Sequence, residues 1–249
     1  HEALRVNVGG TMVMTQLAVR YGVGKFVMIS TDKSVNPTSV MGVSKRICEK
    51  IVQASEKSEG NRTQFIVTRF GNVLGSNGSV IPIFRKQIKN GGPVTVTHPD
   101  VYRYFMTIPE ACQLVLEAGF MGKGGEIFVF DMGKPVKIAD LAINMIRLSG
   151  LEPDKDIKIV YTGLRPGEKL IEELLTSKEK TMETYHPKIR IAHVEQVDSD
   201  ELLSSINSLL NNLYTLSKKE TVKIIGEIVP EYKSSNVRYN GHTKGPEMK

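Results

Sequence analysis

Lys25-Phe-Val-Met-Ile-Ser-Thr-Asp-Lys-Ser-Val-Asn-Pro-Thr-Ser-Val-Met-Gly-Val-Ser-Lys45 is the stretch that decides the fold. Its first six residues form a short apolar run of the kind that makes a buried strand. Thr31 to Asn36 then reads as the loop at the strand's C-terminal end, Pro37-Thr-Ser39 supplies a helix start, and Val40 to Glu56 supplies the helix. Working outward, Gln64-Phe-Ile-Val-Thr-Arg69 is a second strand, again followed by a glycine-containing loop, Gly71-Asn-Val-Leu-Gly-Ser-Asn-Gly78. On the other side, Glu2 to Tyr21 carries a helical apolar pattern that stops before Gly22 and Gly24. Strands alternating with helices of this length predict a parallel α/β sheet, which binds ligands at the C-terminal ends of its strands. Both loops lie at such ends.

Ser79 to about Gly125 reads as a mixed region, 126–130 as a further strand returning to the sheet, and Ile138 to Leu148 as an amphipathic helix. After Gly163 the pattern turns helical and more polar, and 230–249 reads as a loose tail rich in Pro, Ser, Asn and Gly. Residues 79–229 are expected to form a smaller, mixed substrate-binding region.

Composition narrows the function classes. Hydrophobic residues at 40% and charged residues at 24% are those of an ordinary soluble chain. Apolar runs such as Ile127 to Phe130 are far too short for a bilayer, so no membrane span is expected in this chain. Cys48 and Cys112 are too few for a disulfide framework or a zinc site, which fits a reducing cytoplasm. The net charge is +6, but seven basic against four acidic residues after Thr215 place +3 of it in the C-terminal segment. That diffuse excess reads as a solvated surface, and no nucleic-acid partner is expected. His98 stands without paired-His spacing, so no metal site is expected.

Taken alone, Thr31-Asp-Lys33 is more often a polar turn than a site. The longer string Ile29 to Lys45 is more specific, and it resembles the bacterial capsule, O-antigen and glycan-modification dehydratases that act on UDP-N-acetylglucosamine. These are extended short-chain dehydrogenases of the polysaccharide-biosynthesis type. The resemblance continues through Arg69 to Ser76, Gly78-Ser-Val-Ile-Pro82, Gly91 to Pro99, Arg103-Tyr-Phe-Met-Thr-Ile108 and Arg165-Pro-Gly-Glu-Lys-Leu170, and covers roughly residues 1 to 175. It implies an incomplete Rossmann-type doubly wound sheet, in which 1–78 is the C-terminal half of the dinucleotide-binding domain. No Gly-rich pyrophosphate turn with a strand before it is present in these 249 residues.

The resemblance also implies a cofactor, NAD favoured over NADP, and a UDP-sugar substrate. Hydride leaves C4 of the sugar, water is eliminated across C5 and C6, and the hydride returns to C6. The elimination needs a base for the C5 proton and an acid for the C6 hydroxyl, and Lys33 and Asp32 match the positions given these tasks. Lys33 must be deprotonated to serve as base, which burial or a nearby cation such as Lys45 favours. Asp32 must hold a proton, as apolar surroundings favour. Thr31 is assigned to the C4 oxygen, Lys45 to the nicotinamide ribose, and Ser30 to the cofactor.

In the wider family a Tyr stands four residues before the Lys; here it is Met41, which cannot take a proton. Met is common there in the subgroup this chain resembles, and the C4 base stays open. Asn72, Ser76, Ser79, Arg103, Arg165 and Glu168 are assigned to the nucleotide-sugar. Arg165 is placed against the diphosphate, where a planar fork of donors suits phosphate oxygens. For Arg103 and Arg165 a surface ion pair is the competing reading. A homo-oligomer in the cytoplasm is expected, and full-length relatives often carry an inner-membrane anchor. Two other readings compete: an NAD-dependent epimerase or reductase on the same scaffold, and an inactive binding fragment that lacks the cofactor loop.

Overall fold

The computed structural model describes residues 1–76, 78–176, 179–193 and 199–234. Strands β1 (Lys25–Thr31) and β2 (Gln64–Phe70) run parallel along their whole length, from Lys25 opposite Gln64 to Thr31 opposite Phe70. The next strand, β3 (Ile127–Phe130), pairs in parallel with the other side of β2. Two antiparallel strands, β4 (Thr181–Glu183) and β5 (Ile189–Ala192), complete the order β1-β2-β3-β5-β4, which leaves β1 at an edge.

Helix α1 (Gly10–Tyr21) continues from a wider turn over Leu4–Gly9 and stops at Gly22. There φ is +60°, and the amides of Gly22 and Val23 reach back to the carbonyls of Val19 and Ala18. Glycine adopts that left-handed cap without the strain of a Cβ. Helix α2 (Val40–Glu56) starts at Ser39, whose hydroxyl accepts from the Gly42 amide at 3.1 Å.

Every residue of β2 from Phe65 to Phe70 is buried, as expected for a parallel strand covered on both faces. Phe65 and Val67 face a core built with α1, α2, α6 (Ser199–Asn211) and α7 (Lys218–Ile228). Ile66 and Phe70 face a second core with Ala111, Leu114 and Ala118 of α4 (Ile108–Met121). A third core joins α3 (Val80–Lys89) to α5 (Ile138–Leu148) through Phe84, Ile88, Ile138 and Ile146. Val94–Val96, paired in parallel with Ile159–Tyr161, packs onto it. Burying such side chains contributes about 1.5–3 kcal/mol each.

The structure departs from the sequence reading after Gly163. No helix forms at 164–176; the segment is irregular and leads into β4 and β5. Pro166 opens it and Gly167 has φ +80°, where a Cβ would lie 2.7 Å from the Thr38 carbonyl oxygen. The backbone bonds instead to other parts of the fold, with the Tyr102 amide donating to Leu170 O at 2.8 Å. The expected loose tail is also tied down where it begins. Glu231 pairs with Arg46, and the Lys233 amide donates to Pro37 O at 3.0 Å. Residues 235–249 lie outside the described residues. No helix among the described residues is long and apolar enough to cross a membrane.

Candidate active site

Strand β1 ends at Thr31 and runs straight into a single 3-10 turn, Asp32–Ser34. The Thr31 hydroxyl donates to Asp32 Oδ1 at 2.8 Å. Lys33 Nζ donates to the same oxygen at 2.8 Å and to Asn72 Oδ1 at 2.8 Å. Asp32 is fully buried, and its other oxygen, Oδ2, has no partner among the described residues. A carboxylate oxygen in that state carries a desolvation cost that a ligand donor would relieve.

Two glycines allow this packing. A Cβ on Gly42 would stand 2.2 Å from Lys33 O, so α2 reaches the turn only with glycine there. A Cβ on Gly71 would lie 3.1 Å from Asp32 Oδ2 and 3.0 Å from the Tyr104 Cβ, so the loop after β2 closes on the carboxylate through a bare backbone.

Beside the turn lies a cleft of about 750 Å³, a size suited to a drug-sized ligand. Lys33, Met41 and Asn72 line it on the sheet side, and Ser76, Ser79 and the start of α3 line the next wall. Ser79 precedes α3 without capping it, and its hydroxyl oxygen is buried without a partner among the described residues. Arg165 lies on the cleft and is exposed, and its guanidinium makes no ion pair among the described residues. Besides Lys33, the cleft therefore offers the Ser79 hydroxyl and the Arg165 guanidinium, neither paired among the described residues.

Other expected site residues are held by the protein itself. Glu168 lines the cleft, but its Oε1 accepts from Thr97 Oγ1 and Arg103 Nη2, and its Oε2 from the Arg165 amide. Arg103 is buried and also donates to the carbonyls of Tyr102 and Leu170. Arg103 and Glu168 thus build the wall that carries Arg165. Ser30 is buried, with its hydroxyl 2.6 Å from Glu49 rather than on the cleft. Thr31 and Lys45 are half-buried and do not line the cleft. His98 Nδ1 accepts from the Asp100 amide, and no group of metal-binding side chains occurs among the described residues.

The sequence reading missed Glu172, which is buried and lines the cleft. Burial pushes its carboxyl above the ordinary range; the Asp32 charge adds to this, while Lys33 opposes it. Its only signal was a place two residues after the Arg165–Leu170 motif. Nothing local separates it from Glu173, which is more exposed and pairs with Lys169.

Three parallel strands extended by two antiparallel ones, with the strand-end loops meeting at such a cleft, define an α/β protein of the Rossmann type. More particularly, the chain belongs to the family described as polysaccharide biosynthesis protein, whose model matches residues 1–194. It is 53% identical over 224 residues to the capsular polysaccharide biosynthesis protein CapD of Staphylococcus aureus, covering 90% of this chain and 37% of the relative. It is 38% identical to a UDP-glucose 4-epimerase of Rickettsia canadensis, covering 72% of this chain and 51% of that one. The X-ray structure of Pen from Bacillus thuringiensis superposes with a TM-score of 0.69 at 34% identity, covering 82% of this chain and 67% of Pen. A dTDP-glucose 4,6-dehydratase from Bacillus anthracis in complex with NAD shares the fold, with a TM-score of 0.60 at 22% identity over 70% of this chain and 60% of that one. The chain thus spans about a third to a half of the length of these curated relatives.

Proposed function

We propose that this chain is the sugar-facing part of a nucleotide-sugar 4,6-dehydratase that uses NAD and acts on UDP-N-acetylglucosamine or a close relative. The observation that carries this reading is the Asp32–Lys33 ion pair at the end of β1, closed on both sides by Thr31 and Asn72. Elimination of water needs a base for the C5 proton and an acid for the departing hydroxyl together. Moving one proton across 2.8 Å, from Lys33 Nζ to Asp32 Oδ1, produces both at once. Lys33 then takes the C5 proton, and Asp32 gives its proton to the departing C6 hydroxyl, which leaves as water. Both groups return to the starting ion pair, so the elimination step balances between them, while the C4 hydroxyl proton goes to a base that this pair does not supply.

NAD, when bound, supplies hydride acceptance at C4 and hydride return at C6. The residues present bear on one end of it: Thr31 caps the Asp32–Ser34 turn, Lys45 follows Met41 by one turn of α2, and the Asp32 oxygen Oδ2 has no partner among the described residues. The pyrophosphate has no Gly-rich turn in these 249 residues. Arg165 and Ser79, both on the cleft, are assigned in this reading to the substrate diphosphate. Met41 lines the cleft and orients without exchanging protons. In this reading the chemistry is cytoplasmic. A homo-oligomer accords with the apolar residues Val13, Met14, Leu17 and Tyr21, which α1 leaves exposed.

The test is to supply the full-length protein with NAD and UDP-N-acetylglucosamine in deuterated water and analyse the sugar by mass spectrometry and NMR. A 4-keto-6-deoxy product that has lost water and carries deuterium at C5 supports the reading. Inversion at C4 without loss of water overturns it in favour of an epimerase.

A further inference from the structure

Glu49 lies on α2, four residues beyond Lys45, and is fully buried. Its Oε1 is 2.6 Å from Ser30 Oγ and 2.6 Å from Ser34 Oγ, and it accepts from Arg69 Nε at 3.1 Å. Its Oε2 accepts from Arg69 Nη2 at 2.8 Å and from Arg46 Nη1 at 2.9 Å. Ser30 directly precedes Thr31, and Ser34 directly follows Lys33. One carboxylate oxygen therefore brackets Thr31-Asp32-Lys33 from both ends. The turn between is also tied by the Val35 amide donating to Asp32 O at 3.1 Å, by the Lys33 amide donating to Thr31 Oγ1 at 3.4 Å and by the Lys33 ammonium bridging Asp32 and Asn72.

The two arginines are anchored in turn, Arg69 by Glu179 at 3.0 Å and Arg46 by Glu231 at 2.8 Å. Burial alone favours the neutral acid, but Arg69 and Arg46 override it and hold the Glu49 carboxyl down to about 2. A buried ionic cluster is a poor source of net stability compared with apolar residues of the same shape. Fixed orientation is what it supplies here.

We propose that Glu49 is a positioning residue: through Ser30 and Ser34 it clamps the Thr31-Asp32-Lys33 turn so that the Asp32 carboxylate and the Lys33 ammonium stay in register for proton transfer. The proposal rests on the dehydratase reading above for its consequence, but not for its geometry. The Ser34 hydroxyl is also 2.7 Å from Thr31 O, and its one proton serves Thr31 or Glu49 at any moment. The Ser30 hydroxyl has Glu49 as its nearest acceptor.

Replacing Glu49 itself would leave two buried arginines short of a charge and endanger folding. The deciding variant is therefore the double substitution Ser30→Ala and Ser34→Ala in the full-length protein, which cuts the clamp and leaves the buried charges paired. Turnover, KM for UDP-N-acetylglucosamine and amide hydrogen exchange are measured in parallel. A fall in kcat of roughly 100-fold is expected, the scale of a misplaced catalytic group, with KM within about threefold of the parent. Exchange over residues 31–35 should rise by at least about tenfold while β2 is unchanged.

Unchanged exchange at the turn overturns the clamp. So does faster exchange there with kcat within about twofold of the parent, and so does a rise spread across β2 and α2, which marks a merely structural role. If the parent eliminates no water from the sugar, the dehydratase reading fails, and the exchange data alone still decide the clamp.

Discussion

Lys33 Nζ stands 2.8 Å from Asn72 Oδ1, so the loop after β2 holds the lysine of the turn after β1. The sequence reading assigned Asn72 to the nucleotide, but its side-chain oxygen is already committed to Lys33. Asn72→Ala should therefore lower kcat by roughly tenfold through loss of lysine orientation, with little change in UDP-sugar KM. Steady-state kinetics check this, and a large rise in KM with normal kcat would return Asn72 to a purely binding role.

Lys33 Nζ and Asp32 Oδ1 are bonded at 2.8 Å, and the two substitutions should separate their roles. Lys33→Ala should leave oxidation at C4 possible while blocking C5 deprotonation, so reduced cofactor accumulates, visible by its absorbance. Asp32→Asn should allow solvent deuterium into C5 without loss of water. Each should cost roughly 10²- to 10⁴-fold in turnover. Normal turnover of the Lys33 variant, or C5 exchange at the parental rate in it, would assign the base elsewhere, with Lys45 the next candidate.

Arg165 is exposed on the cleft, and its guanidinium makes no ion pair among the described residues. Arg165→Lys should weaken UDP-sugar binding by roughly tenfold and leave NAD binding alone, because an ammonium cannot reproduce a bidentate contact with phosphate. Titration calorimetry of the full-length protein with each ligand separates the two effects.

Glu172 gives the site a pH signature. Burial raises its carboxyl above the ordinary 4.5, so between 4.5 and that raised value the folded chain binds more protons than the unfolded one. Its contribution to stability is full below 4.5 and is lost as pH rises through this window. Glu172→Gln should therefore gain stability relative to the parent between about pH 4 and about pH 7, measured by urea unfolding at each. A constant difference across that range would contradict the sign.

The 249 residues alone should bind NAD weakly, since no Gly-rich turn cradles the pyrophosphate. Calorimetry on this chain should give a Kd well above micromolar. A micromolar value, about −8 kcal/mol, would mean that the described strand ends hold the dinucleotide by themselves.

The sequence determined the strand, helix and strand of residues 25 to 69 and the position of both loops at strand ends. These follow from apolar periodicity, a serine cap and glycine stops, all written within a few residues. Motif strings also sufficed for the family. The tertiary structure alone decided which oxygen meets which donor. The register that sets Thr31 opposite Phe70 brings two loops 39 residues apart in sequence together, so that Lys33 reaches Asn72. It also sets Ser30 beside Arg69, where Glu49 takes the serine hydroxyl that the sequence had offered to a cofactor. Glu168 likewise reads as a ligand residue in its motif and becomes an internal brace only when Arg103 and Thr97 are folded against it. Glu172 and Glu173 are identical side by side in the chain, and burial against the Asp32–Lys33 turn is what separates them. A side chain's type is local information, but the desolvation and the partners that give it a role come from segments distant in sequence.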